Sequence, residues 1–325
     1  LKKVAFISLL ITCIAAIGAY VLAGIHETEL DDDARLSAPG EFLQTAQGKL
    51  HYRWHLPEFF SKDAPIIVMA HGFSTPNFIF EQNAKALSEA GFKVLTFDHF
   101  GRGWSDRPSG PYDDVFYEQE LLSLLDGLNI KQPVGLVGLS MGGVTTSYFT
   151  KQNPKRIKAL FLLVSSGFVL ANDGNSASGK LLRTPLLGDW FWRVFGRKIL
   201  SGSIITTDDG SKAANSLQGD PTIQMQYKGY FQALLSSYRN TQMYNRDELF
   251  RELALTEVPT KALFGEQDST VLISSLDRFK SAMPDAKAEV LNGGHELNFE
   301  LYPQVNQQLI TYFEQHLKTA DFRSR

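Results

Sequence analysis

The run Gly138-Leu139-Ser140-Met141-Gly142 constrains the fold more than any other part of this 325-residue chain. Before it, Val134 to Leu139 is short, apolar and rich in β-branched residues, as a buried strand should be. After it, Gly142 to Gln152 can run as a helix that Pro154 follows. A serine between such a strand and helix sits on a strained turn that lifts its hydroxyl above a sheet. The glycines let the two backbones approach and let the turn adopt angles that a side chain resists. Composition alone supplies G-x-S-x-G in roughly one chain of this size in ten, so the flanking elements carry the inference.

The wider pattern is strand alternating with helix. Phe42 to Gln47 and Leu50 to His55 flank a turn at Gly48 and read as a strand pair. Apolar strands follow at Pro65 to Ala70, Phe92 to Asp98, Val134 to Leu139 and Lys158 to Ser165, with helical periods at Phe78 to Glu89 and Val115 to Leu128. The alternation stops at Gly167. Residues 167–256 read as a helical lid inserted after the sixth strand, with an aromatic stretch from Leu181 to Leu200 and a helix-period stretch from Thr222 to Ser237. The pattern resumes with a strand at Thr260 to Phe264, a helix at Val271 to Ala282, a strand at Ala286 to Leu291 and a closing helix at Phe299 to Leu317. The predicted architecture is α/β, an eight-stranded, mostly parallel sheet flanked by helices, with core segments at 41–166 and 257–320. Ligands bind such sheets at the strand ends.

The N-terminus is built differently. Val4 to Ile25 carries no charge over 22 residues, and at ~1.5 Å per residue a helix there spans about 33 Å, enough for a bilayer core of ~30 Å. Lys2 and Lys3 precede it, and an acidic linker at 27–40 follows. The positive-inside rule leaves the lysines in the cytoplasm and the remaining chain on the non-cytoplasmic side, which is the periplasm in a bacterium. Residues 1–26 are therefore expected to be a single-pass anchor. The competing reading is a signal segment cleaved near Val21-Leu22-Ala23, followed by secretion.

Composition excludes several partners. The net charge of -3 arises from interspersed acids and bases without a basic run, so nucleic acid is not an expected partner. The single cysteine, Cys13, lies in the apolar run and permits no internal disulfide. No H-E-x-x-H motif or clustered ligand set occurs, so neither a metal nor a cofactor is expected.

A serine hydroxyl needs a base to remove its proton and a third group to orient that base. Of seven histidines, only His295 and His316 follow Ser140. His316 falls in the periodic closing helix, where a solvent-facing position is the default. His295 sits in the flexible Gly293-Gly294-His295 turn just after a strand and is the candidate base. The candidate acids, Glu266 and Asp268, follow the strand ending at Phe264, and Asp268 is the choice. Donors for an oxyanion are expected from the Met141 N–H at the start of the helix and from the Phe73 N–H in His71-Gly72-Phe73. His71 is read as a brace for that loop, not a base.

With these residues the chain resembles an α/β-hydrolase-fold serine hydrolase over residues 42–318. The likeness takes in His71-Gly72, the stretch Asp98 to Asp106, the serine turn, Gly265 to Asp268, and Gly294-His295 with Glu300. It implies catalytic Ser140, Asp268 and His295, oxyanion donors Phe73 and Met141, and a structural role for Asp98 to Asp106. Gly101 and Gly103 lack the third glycine of a dinucleotide loop. Ser140 stands where dehalogenases and epoxide hydrolases need a carboxylate. The single-glycine oxyanion loop is similar to that of lipases and monoacylglycerol-lipase-like enzymes, which implies carboxylic esters with a hydrophobic acyl chain. Carbon-carbon bond hydrolases and peptidases share the triad and stay open, as does a non-catalytic ligand-binding scaffold.

Overall fold

The computed structural model describes residues 2–60, 63–171, 174–201 and 223–318. Eight strands form one sheet: β1 (Glu41–Gln44), β2 (Lys49–His55), β3 (Ile66–Ala70), β4 (Lys93–Phe97), β5 (Val134–Leu139), β6 (Ile157–Leu163), β7 (Thr260–Gly265) and β8 (Lys287–Leu291). Their spatial order is β1-β2-β4-β3-β5-β6-β7-β8. β2 pairs antiparallel with β1 and β4, and every other pair is parallel.

The central strands β3 and β5 are apolar or glycine and buried at every position because both faces of the sheet are covered there, and side chains of the central strands alternate between two cores. Ile66, Val68 and Ala70 face one core with Leu136, Leu162 and Phe264, whereas Ile67 and Met69 face the other with Val137, Phe161 and Leu163. The helices that cover the sheet are α3 (Glu81–Glu89), α4 (Asp114–Gly127), α5 (Met141–Gln152), α9 (Asp247–Ala254), α10 (Ser275–Ala282) and α12 (Tyr302–Leu317). α4, α5, α9 and α10 form one layer, and α3 packs with α12 on the other.

The remaining helices are α1 (Lys2–Ala23), α2 (Asp32–Arg35), α6 (Ala177–Arg183), α7 (Leu187–Ser201), α8 (Tyr230–Asn240) and α11 (Leu297–Glu300). α1 is long and apolar enough to cross a membrane, and none of its residues is buried. It lies against α7 in the segment between β6 and β7. Thr222, where the helix-period stretch was placed to begin, lies outside the described residues; Ile223–Gln226 is a single 3₁₀ turn before α8.

Three sequence readings differ in detail. The helix placed at Val271 begins only at Ser275, because the Val271 N–H is held by Asp268 Oδ1 and Val271 bridges to Leu170. The closing helix begins at Tyr302, with Pro303 in its first turn after the short α11. The stretch 27–40, read as a linker, is packed on the domain. Asp31 caps α2 by accepting the Ala34 N–H, buried Arg35 bonds Asp106 and the Trp104 carbonyl, and Thr28 bridges to Tyr227. α9 was not predicted.

Candidate active site

Ser140 joins β5 to α5 with φ 54° and ψ -117°, a conformation that costs a non-glycine residue on the order of 1–3 kcal/mol. Its backbone is fixed on both sides: its N–H donates to the Leu163 carbonyl at 3.0 Å, and its carbonyl accepts the Ser166 N–H at 3.1 Å. The glycines around it mark close approaches. A Cβ on Gly142 would stand 2.3 Å from the Ala70 carbonyl oxygen, and one on Gly143 would stand 2.1 Å from Ser165 Oγ. The turn therefore closes only without side chains at these positions.

Asp268 and His295 reach the same point from the ends of β7 and β8. The two loops interlock: the Glu266 N–H donates to the Leu291 carbonyl and the Gln267 N–H to the Gly293 carbonyl. A Cβ on Gly265 would strike the Gly293 and Gly294 carbonyl oxygens at 2.6 and 2.7 Å. His295 Nε2 lies 2.9 Å from Ser140 Oγ, and His295 Nδ1 lies 2.8 Å from Asp268 Oδ2. Asp268 is buried, and its Oδ1 accepts the N–H groups of Thr270 and Val271 at 2.7 and 2.8 Å. Glu266, the other candidate acid, is exposed. His316 packs at a tilt against Tyr312 within α12, and burial followed by the charges of Lys287 and Lys158 lowers its pKa.

The Gly72 backbone passes directly under Ser140, close enough that a Cβ on Gly72 would stand 3.3 Å from Ser140 Cβ. The N–H groups of Phe73, the next residue, and of Met141 have no acceptor among the described residues. Both therefore remain free to receive negative charge beside the hydroxyl.

Buried polar groups hold this loop in place. His71 Nε2 accepts the His99 N–H at 2.9 Å and Nδ1 donates to the Gly72 carbonyl at 2.9 Å, so the ring is the Nδ1–H tautomer. Burial, and then His99, pushes its pKa well below the ordinary value. Burial alone would raise the Asp98 carboxyl. The His51 ring 2.7 Å away and the Asn77 N–H instead hold it far below the carboxylate range, and by also accepting the Trp104 N–H Asp98 ties the Trp104 loop to the Asn77 turn. Next to it, Glu120 accepts the Phe100 N–H and contacts His99 Nδ1. Burial raises Glu120 well above its usual pKa and pushes His99 down to about 3, so this is a neutral pair.

Two further residues were not singled out in the sequence. Arg102 is fully buried, has no carboxylate partner among the described residues and fans its donors outward: Nε to the Phe73 carbonyl (3.0 Å), Nη1 to Tyr117 Oη (3.0 Å) and Nη2 to Ser237 Oγ of α8 (2.8 Å). Buried Gln224 donates to the Ser74 carbonyl at 2.7 Å and accepts the Gly103 N–H at 2.9 Å. Through these contacts the segment between β6 and β7 braces the loop beside Ser140. Among the described residues, no cluster of three or more His, Cys, Asp or Glu is arranged to hold a metal ion.

The profile of the alpha/beta hydrolase fold matches residues 65–301. The chain belongs to the α/β-hydrolase fold family. A Synechocystis relative provisionally named a non-heme chloroperoxidase is 27% identical over 264 residues, covering 76% of this chain and 91% of that protein. The uncharacterised carboxylesterase nap of Bacillus subtilis is 26% identical over 292 residues, covering 84% and 85%. Among solved structures, a bacterial membrane phospholipase A superposes with a TM-score of 0.66 at 16% identity, covering 98% of this chain and all of that one, a likeness of fold alone. Family membership, with a carboxylesterase among the relatives, supports a hydrolase.

Proposed function

We propose that this α/β hydrolase is a serine hydrolase that cleaves carboxylic esters through an acyl-enzyme. The observation that carries the reading is the continuous set of contacts from Asp268 through His295 to Ser140, beside the unpaired N–H groups of Phe73 and Met141. Ser140 Oγ attacks the ester carbonyl while His295 Nε2 takes its proton. Asp268 holds the Nδ1–H and stabilises the imidazolium, and the two N–H groups receive the oxyanion. The alcohol leaves with the proton from His295. Water, deprotonated by the same nitrogen, then attacks the acyl group, and the acid departs as Ser140 recovers its proton.

Support for a hydrophobic acyl chain comes from Phe73, which packs against a cluster of Trp192, Met225, Phe231 and Leu234. On this reading residues 167–256 cap the site. The carboxylesterase among the relatives favours esters over carbon-carbon or amide bonds. We read α1 as the membrane anchor, with the catalytic domain on the non-cytoplasmic side opposite Lys2 and Lys3.

The test is hydrolysis of p-nitrophenyl esters from two to sixteen carbons by the purified protein and by Ser140→Ala, with fluorophosphonate labelling in parallel. A preferred chain length, loss of turnover in the variant and labelling that requires Ser140 are expected. Equal turnover in Ser140→Ala refutes the reading.

A further inference from the structure

Apart from the triad, a cavity of about 440 Å³ opens between α1, α7, α8 and the loop after β4. Its lining includes Tyr20, Arg107, Arg193, Arg239 and Asp189. Arg239 is fully engaged, with both Nη atoms on Asp189 at 2.9 and 3.1 Å and Nε on the Leu182 carbonyl. The other two arginines are not. Arg107 spends Nη1 and Nη2 on the Ser105 and Gly103 carbonyls, has no carboxylate at ion-pair distance among the described residues, though Asp98 and Asp106 act on it from further off, and buries Nε without an acceptor. Arg193 Nη1 lies 2.9 Å from Glu27 Oε2, and its Nε is likewise buried without an acceptor. Within the lining three guanidinium groups meet one carboxylate, Asp189, while Glu27 answers Arg193 from outside it, which leaves the cavity a positive excess. An anion with several oxygens, and phosphate above all, fits that deficit.

The position of the cavity favours a membrane source. Tyr20 stands five residues before the end of the apolar run at Ile25, about 7.5 Å along the helix, near the boundary between acyl chains and headgroups. Trp190 of α7 donates Nε1–H to the Ala16 carbonyl at 2.8 Å, roughly 13 Å from the same end, so α7 lies beside the anchor at bilayer depth. Leu186 and Leu187, 84% and 62% exposed, continue the apolar surface.

We propose that this cavity binds the phosphodiester of an anionic glycerophospholipid between Arg107 and Arg193, a site distinct from Ser140. The proposal rests on the reading of α1 as a membrane anchor.

The test uses the full-length Ser140→Ala protein in dodecylmaltoside micelles, so that binding is read without turnover. Ether-linked di-O-hexyl-phosphatidylglycerol is titrated and followed by tryptophan fluorescence, since Trp192 lines the cavity. Saturable binding is expected, weakened about tenfold or more by Arg193→Gln and by Arg107→Gln. Arg107 also ties down two loop carbonyls, so Arg193→Gln is the deciding variant. With Ser140 restored, it should hydrolyse p-nitrophenyl butyrate at the parent rate. Wild-type affinity in Arg193→Gln, or no saturable binding, overturns the site. Equal binding of the phosphatidylcholine analogue overturns the anionic preference. Full competition by inorganic phosphate at micellar lipid concentration overturns the membrane source. Release of the protein from cell membranes by alkaline carbonate would refute the anchor reading separately, and loss of fluorophosphonate labelling would bear only on the hydrolase reading.

Discussion

Replacing Asp268 by Asn tests the proposed proton path through a single atom. Asp268 Oδ1 accepts two backbone N–H groups, from Thr270 and Val271, and turning the side chain over would leave both donors unpaired at about 1–3 kcal/mol each. An asparagine therefore keeps its oxygen on those donors and points its amide nitrogen at His295 Nδ1. That contact requires a lone pair on Nδ1, which moves the ring proton to Nε2, the atom 2.9 Å from Ser140 Oγ. The base then has nothing with which to accept the serine proton. Reversing a triad histidine in this way costs about 10⁴-fold in kcat, or about 5.4 kcal/mol. The assay is kcat on p-nitrophenyl butyrate from pH 6 to 9 for the parent and Asp268→Asn, with melting temperature as the control for folding. A folded variant retaining more than a tenth of the parent kcat refutes the tautomer argument.

Three other outcomes are expected. Gln224→Leu removes the acceptor of the Gly103 N–H and leaves the Ser74 carbonyl only the long 3.4 Å bond from Tyr230 Oη, and by loosening the loop at Phe73 it should lower kcat by up to about 10²-fold on a short ester, with KM little changed; an unaltered kcat would sever the link from this segment to the loop. Gly142→Ala drives a methyl group into the Ala70 carbonyl and should destabilise the protein by about 1–3 kcal/mol in urea titrations, whereas an unchanged midpoint would show that the turn has room to relax. Between pH 4.5 and 6.5, unfolding protonates His71 and His99, both depressed in the folded state, and ionises Glu120, which is raised. These three groups together take up one proton net, which contributes about 1.4 kcal/mol of lost stability per unit of acidification, and Glu120→Gln should steepen the overall slope by about that much again; equal slopes would show that Glu120 is already ionised in the fold.

The parallel sheet was legible because each strand states its burial locally. β5 was bounded to the residue, and the serine turn followed from glycines whose absent side chains are what the geometry demands. Asp268 was separable from Glu266 only by position after β7, and the structure shows why the two differ: Asp268 turns inward onto the Thr270 and Val271 N–H groups, while Glu266 stays exposed. Helix starts were less legible. A periodic pattern from Val271 says nothing of a carboxylate that captures the Val271 N–H, so that the chain makes a bridge and a turn before the helix starts at Ser275.

The least legible contacts are those between the insertion and the core, and the reason is physical. Arg102 meets Ser237 across 135 residues, and Gln224 meets Ser74 across 150. Neither pairing leaves a periodicity, a cap or a turn signal, because each satisfies a buried donor or acceptor on an element folded elsewhere. A buried arginine without a carboxylate reads locally as an unfavourable choice. It becomes explicable only when Phe73, Tyr117 and Ser237 converge on its donors. Residues that shape the surroundings of Ser140 therefore lie where local pattern is weakest, which is why the chemistry of the site can be read from the sequence further than its choice of substrate.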